Sequence, residues 1–437
     1  MSNIKEVKVS EFVQTKYKEF WKESNRNRNV FLPEEQLMAV EKRIIWAAHK
    51  IGMTNLNKEY KTTDLSGETA KYHIAGQSTI DDSIKGLAAP YKRQSAVRLF
   101  GSESNMGSFQ GDSGAASRYT SVMPTPLLLE IMRDLEYVDL VIDETGLEEP
   151  KYISSPLPMS LINGFSPIGL GHAAYYDERD ASEIIDWIEK LQKDPNAPLP
   201  DPISSTGCIV YKNPKNGYTY YDAVINREGN RDVITALPPK VSTKSVLHQL
   251  KSKLPTRTAN LVIDASGKGE AVKIMLPTGH ITDKNRTKFS LRTARIEAPY
   301  IWDESIDTMR MSSHAEIANI WLAERKVVVE RRLRAEIEKH KAQIHKIDLL
   351  QRFADEEMNK WKIEDIQKAL GEEDTNMVLS QAQRAFLPEN LAKNNAQKPR
   401  LKKLIKEAEN NIKRIEEFIF DEARDIIKRQ EEHFKKN

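Results

Sequence analysis

Cysteine, long apolar runs and net charge are all scarce in this chain, and each shortage excludes something. One cysteine, Cys208, stands among 437 residues, so neither an intrachain disulfide nor a cysteine-built zinc site can form, and a reducing compartment is expected. No apolar run approaches the ~18 residues of a membrane-spanning helix, and the opening MSNIKEVKVSEF has no signal-peptide core. The expectation is a soluble, cytoplasmic protein with no membrane partner. The formal net charge is +2, from 66 basic and 64 acidic residues. Overall basicity therefore advertises no nucleic acid, and any such contact needs a local concentration of positive charge. No GxxxxGKS/T loop offers to cradle a nucleotide. Asp81 and Asp82 sit side by side, so on a helix they point in different directions and make a poor metal pair.

What the sequence does have is length and pattern. A chain of 437 residues divides into two or three domains. Its 39% hydrophobic content suffices for buried cores, and 30% charged residues predict long solvated helices. Residues 1–30 are polar, with Phe12, Tyr17, Phe20 and Trp21 as scattered anchors, and read as an arm that leans on something else. From Pro33 to Gly52 a helix is predicted, with Glu34 and Glu35 at the positive end of its dipole. Leu37, Val40, Ile44, Ala48 and Ile51 share one face, which leaves Lys42 and Arg43 to point outward. A second helix carries Ile80, Ile84 and Leu87 and closes at Pro90; 126–138 is apolar at helical spacing, and 140–143 reads as a strand. Short helices joined by turns over 31–180 are what a winged-helix module looks like.

Residues 181–312 change character. A proline-rich linker at 195–202 leads to strands at 208–212, 218–225 and 233–237, a helix at 243–254, and a hairpin of 261–264 with 271–276 around Gly267 and Gly269. This is an α+β domain without a catalytic constellation. From 313 to 437 the chain is helical: Ile317, Trp321, Val328, Leu333, Ile337, Ile344 and Ile347 keep near-heptad spacing. Leu401, Leu404, Ala408, Ile412, Ile415, Ile419, Ala423 and Ile426 repeat it, which predicts an antiparallel coiled coil with a small globule at its tip. The whole reads as a multidomain α+β protein.

The stretch that organises the rest is NMGSFQGDSGAASRY, Asn105 to Tyr119. A glycine-rich turn passes through small residues to Arg118 and Tyr119. A tyrosine hydroxyl, with a pKa near ~10, is a poor nucleophile at neutral pH and needs a cation or general base close by. Arginine is permanently charged and shaped to hold a phosphate. Alone, such a pair is more often a surface pair or a packed tyrosine.

Three blocks in order resemble the DNA-breaking subunit of the type IIA DNA topoisomerases: the gyrase A chain, the topoisomerase IV cleavage subunit, the eukaryotic type II enzymes and the T4-like phage enzymes. Asn105-Met106-Gly107-Ser108, Gly111-Asp112 and Gly114 to Tyr119 look like the family's NFGS turn, GD and RY pair. Pro158 to Gly164 with Ile168-Gly169-Leu170-Gly171 looks like PxxLxNGxxGIxxG, and Lys71-Tyr72-His73 with Gly76 and Ser78 looks like KYHxHGxS. The compact size is most similar to the medium subunit of the phage enzymes. The sequence departs from the family where a second histidine becomes Ala75 and the first lysine of an LKPVxRR-like segment becomes Met38.

The resemblance implies that Tyr119 attacks a DNA phosphodiester and forms a transient 5′-phosphotyrosyl bond while Arg118 stabilises phosphate charge. His73 would donate to the phosphate or relay a proton, although a lone histidine is more often structural. Lys42, Arg43, Lys92, Arg93 and Ser117 would contact double-stranded DNA. For Lys92 and Arg93 a merely solvated face remains open; for Ile168 the alternatives are a wedge between base pairs and an ordinary buried residue. It also implies a winged-helix cleavage domain at 31–180, a tower domain at 181–312, and dimer contacts through the winged-helix region and a C-gate globule. No Toprim-like cluster of a glutamate with DxD is present. Mg²⁺ and ATP would therefore be bound by a separate ATPase/Toprim subunit in an A2B2 heterotetramer, and no metal site is expected here. The chain is also too short for the DNA-wrapping domain of the gyrase A chain. The competing readings are a non-catalytic architectural DNA-binding protein with the same fold, and a self-sufficient tyrosine nuclease or recombinase.

Overall fold

The computed structural model describes residues 8–142, 146–167, 169–267 and 272–436. Asp143, Ile168, Gly269 and Ala271, assigned above to a strand end, a DNA wedge and a hairpin, lie outside the described residues. Two compact units divide the chain, Met1–Arg325 with Phe420–Asn437, and Lys326–Ile419.

In the first unit, short helices Ala39–Lys50, Thr62–Thr69 and Gln77–Ala88 bury Ile44, Ile45, Ala48, Leu65, Ile80, Ile84 and Leu87. Beside them Ser121–Pro124 is the central strand of an antiparallel sheet between Tyr60–Lys61 and Phe100–Gly101. Tyr60 pairs with Val122 and Phe100 with Pro124. The excursion between the last two strands, 102–120, carries Arg118 and Tyr119.

The first of these helices begins at Ala39 rather than Pro33. Gln36 has φ +56°, a left-handed value that no helix continues through. The start is instead capped at Met38, whose N–H donates to Glu41 Oε2 at 3.1 Å, while Gln36 turns inward to accept from Ser160 Oγ at 2.7 Å. At the far end of the unit, the Ile415–Lys436 helix returns Gln430, fully buried, against the same layer. Its Nε2 donates to the carbonyls of Ser95 and Arg98, and its Oε1 accepts from Leu127 N–H.

Further along the unit, the four-stranded sheet of Ile263–Asp264, Ile274–Pro277, Arg231–Ala236 and Val224–Glu228 shares a core with helix Thr243–Lys253, in which Val246 and Leu250 of the helix join Ile234, Ile274 and Leu276 of the sheet. The strand expected at 218–225 is two strands in two sheets. Thr219–Asp222 lies between Ile209–Lys212 and Arg292–Arg295, whereas Val224–Glu228 pairs with Arg231–Ala236. Ala223 is the crossing point, fully buried with its N–H on Leu291 O at 2.8 Å, and a register shift follows at Val224/Ile225.

The second unit contains part of the 42-residue helix His314–Asp355. Glu416 pairs with Lys326 and Lys398 with Asp348, so residue numbers rise along one helical segment as they fall along the other. Val328, Leu333, Ile337, Ile347, Leu401 and Ala408 are buried. Helices Ile363–Leu370 and Glu372–Leu379 enclose a small core of Leu349, Phe353, Met358, Ile366 and Val378.

Candidate active site

The turn ahead of Tyr119 is held from both ends. Ala115 N–H donates to Asn105 O at 2.9 Å, Ser108 N–H to Asp112 O at 3.2 Å, and Ser108 Oγ to Asp112 Oδ2 at 3.0 Å. Gly107, at φ +97°, leaves no room for a side chain: an added Cβ would lie 2.5 Å from the Tyr91 hydroxyl and 2.8 Å from Asp112 O. Gly111 likewise has φ +90° and backs onto Ser242, and Asp112 pairs with Lys244 at 2.5 Å.

Behind the tyrosine, the single turn Ser117–Tyr119 is pinned by fully buried Thr120, whose Oγ1 donates to Thr62 Oγ1 at 2.8 Å and whose O accepts from Thr62 N–H at 3.1 Å. Ser117 is buried, with its carbonyl accepting from Thr120, so this structure gives it an anchoring position rather than an exposed one. Tyr119 itself is 68% exposed. Arg118, also exposed, lays its guanidinium 4.8 Å from the tyrosine ring centroid. Neither side chain makes a hydrogen bond or ion pair among the described residues. The braced turn thus presents the phenol and the guanidinium to solvent together.

Lys42 and Arg43 do not point outward. Arg43 is buried: its Nε donates to Glu149 Oε2 at 2.9 Å and its Nη2 to Oε1 at 3.4 Å. Lys42 lies 3.5 Å from the same carboxylate, with 11% of its side chain exposed. Ile44 and Ala48 are buried as the helical phase predicts, but Glu149, arriving from the hairpin Leu140–Ile142/Glu148–Pro150, is the shared partner of both cations. His73 joins this group through Nδ1, 3.2 Å from Arg43 Nη1. Burial, then the positive charge of Arg43 and Arg28, lowers its pKa to about 4, so the imidazole is neutral at physiological pH. No hydrogen bond or ion pair among the described residues links Tyr119 or Arg118 to this cluster. Arg93 pairs with Glu41, while Lys92 is exposed and without an ion pair among the described residues.

Sequence reasoning missed Glu149 and Glu35. Glu35, expected at a helix N-terminus, is buried, accepts from Ile153 N–H at 3.2 Å, and has its pKa raised by burial to about 7. The native state therefore holds this proton more tightly than the unfolded chain does. The resulting stability is complete below the ordinary value of 4.5 and is lost as pH rises through about 7. Glu35→Gln should accordingly raise stability at pH 8, by up to about 3 kcal/mol, with the gain vanishing near pH 5. Thermal melts of both proteins across that range check it; an equal shift at both pH values would contradict it.

No three His, Cys, Asp or Glu side chains gather among the described residues into a group able to hold a metal ion. The acid of the tyrosine turn, Asp112, is spent on Lys244 and Ser108. This donor set does not fit Mg²⁺, and no metal-dependent step is assigned to these residues. No helix among the described residues is long and apolar enough to cross a membrane.

A mixed α+β chain presenting an arginine–tyrosine pair on a glycine-braced turn thus defines the class. The chain belongs to the DNA gyrase/topoisomerase IV A-subunit family, whose profile matches residues 37–425. The DNA gyrase A chain of Helicobacter pylori is 30% identical over 221 residues, covering 48% of this chain and 26% of that protein. Those of Aminobacterium colombiense and Thermotoga maritima are 27% and 25% identical over 352 and 350 residues, each covering 73% of this chain and 43% of the relative. The matched stretches cover from 26% to 43% of the length of these relatives.

Proposed function

We propose that this chain is the DNA breakage–reunion subunit of an ATP-dependent type II DNA topoisomerase, with Tyr119 as the nucleophile. The observation that carries the reading is an exposed phenol beside an exposed guanidinium, neither with a hydrogen bond or ion pair among the described residues, on a turn braced by Gly107 and Thr120. Tyr119 Oη attacks a phosphodiester phosphorus and loses its proton. The P–O3′ bond breaks as the P–Oη bond forms, the 3′ oxygen takes up a proton, and a 5′-phosphotyrosyl ester remains. Arg118 matches the charge that grows on the non-bridging oxygens. The bond energy is kept in the ester, so resealing reverses the step without nucleotide.

One cation beside the tyrosine is a thin supply for phosphoryl transfer, and no hydrogen bond or ion pair among the described residues links it to the Lys42/Arg43/His73 group. A two-fold dimer meets that need, because it brings a second copy of each group and supplies the two tyrosines that a double-strand break requires. We read 1–30 as an arm, 31–180 as a winged-helix cleavage domain, 181–312 as a tower, and 313–437 as coiled coil and C-gate. The strand–loop–strand carrying Tyr119 supports the cleavage domain, and the antiparallel ion pairs Lys326–Glu416 and Lys398–Asp348 support the coiled coil. Mg²⁺ and ATP are supplied by a Toprim/ATPase subunit in an A2B2 assembly.

Covalent trapping tests the reading. Labelled duplex DNA is incubated with this chain, the partner subunit and Mg²⁺, then quenched with detergent. A DNA–protein adduct that needs partner and metal is the expected result. Intact duplex binding with no adduct under any of these conditions would favour the architectural reading.

A further inference from the structure

The Glu149–Arg43–His73 chain has a geometry that ordinary charge pairing does not explain. Glu149 takes the Nε and Nη2 edge of the guanidinium, at 2.9 and 3.4 Å, which fixes its plane and leaves Nη1 aimed at His73 Nδ1, 3.2 Å away. Arginine only donates, so Nδ1 is the acceptor and the imidazole proton sits on Nε2. That Nε2–H makes no hydrogen bond among the described residues. The carboxylate is itself held in place. Its strand, Glu148–Pro150, pairs Glu149 with Val141, and Trp46 Nε1 donates to Glu148 O at 3.0 Å, tying the strand to the helix that bears Arg43.

We infer that Glu149 is a positioning residue of the cleavage site: by clamping Arg43 it sets the tautomer of His73, so that a neutral Nε2–H is kept ready to donate to a phosphate oxygen. The inference rests on the reading of this surface as part of a DNA-cleavage site only for its purpose, not for the clamp. Lys42, 3.5 Å from Glu149, balances the carboxylate further. Arg28 adds positive charge near His73, so Arg43, Arg28 and Glu149 are the charged groups acting on the ring. A neutral donor suits a reaction in which charge grows and then recedes, because it accepts no proton and cannot trap the phosphate as a strong ion pair.

The clamp and a simple counter-charge predict opposite signs. If Glu149 merely adds negative charge near His73, its removal leaves the histidine harder to protonate. If it clamps Arg43, Glu149→Gln frees the guanidinium to swing to solvent. His73 then loses the neighbour that suppresses protonation, and its titration midpoint rises from about 4 toward the ordinary histidine range.

The measurement is long-range ¹H–¹⁵N correlation on the full-length chain labelled at histidine, with the His73 signals identified by their loss in His73→Gln. Wild type is expected to show the Nε2–H tautomer alone through neutral pH. Glu149→Gln should show both tautomers and the raised midpoint. Arg43→Lys keeps the charge but loses the fork, and should show both tautomers even if Glu149→Gln fails to fold. An unchanged tautomer in Arg43→Lys, or an unchanged or lowered midpoint in a folded Glu149→Gln, overturns the clamp. Neither readout involves DNA, so it fails independently of the covalent-trapping test of the function.

Discussion

Tyr119→Phe is expected to abolish covalent capture of DNA while leaving duplex affinity within about twofold, because one oxygen is removed from a ring that is otherwise unchanged. The side chain is exposed and its hydroxyl makes no hydrogen bond among the described residues, so the variant should fold as the wild type does. Arg118→Ala should slow adduct formation by about 10²–10³-fold, the effect usual for removing one preorganised donor from a developing oxyanion. Arg118→Lys should recover only part of this, since a lysine supplies charge without the planar fork. Single-turnover trapping with saturating partner subunit, resolved on denaturing gels, separates these outcomes. An adduct persisting in Tyr119→Phe would place the nucleophile elsewhere.

The tyrosine turn was legible in the sequence because its determinants are local. Gly107 and Gly111 take positive φ, a conformation that glycine itself announces, and the Arg-Tyr pair follows a few residues on. The surroundings were not legible, because their determinants come from far along the chain. Helical phase places Lys42 and Arg43 off the apolar stripe but carries no information about a carboxylate 106 residues beyond Arg43. The same limit applies at Pro33: proline followed by two glutamates is a sound helix start, and it fails here because Gln36 at φ +56° turns in to meet Ser160. Between 218 and 225 the residues run YTYYDAVI with no glycine or proline to mark a break, and nothing local says that the strand changes sheets there. In each case the missed feature is a tertiary partner, and in the case of Glu149 that partner turns inward two cations that helical phase alone leaves facing solvent.

The largest stability loss in the first unit is expected from Arg325→Ala. Arg325 is 1% exposed and holds Asp134 Oδ2 at 2.5 Å and Glu422 Oε2 at 2.6 Å, with Ser154 O and Oγ each at 3.3 Å. Removing it leaves two carboxylates, 1% and 9% exposed at the side chain, without their shared cation. Arg133, which also reaches both acids at 3.3 and 2.9 Å, is 42% exposed and too well solvated to replace it. The cost should be about 3–5 kcal/mol, the range for breaking a buried pair from one side. The helix 415–436 depends on Glu422 for this anchor as it depends on Gln430 for its hydrogen bonds to Ser95, Arg98 and Leu127. Its detachment should therefore appear first, as loss of amide-exchange protection confined to 420–436. Loss of the buried cation that Asp134 and Glu422 share, rather than lost packing, is the cause, so Arg325→Met combined with Asp134→Asn and Glu422→Gln should regain more than half of the loss. Urea unfolding of the single and triple variants decides between the two causes: equal destabilisation of both would assign the effect to packing, because the triple variant no longer buries a carboxylate that has lost Arg325 at either position.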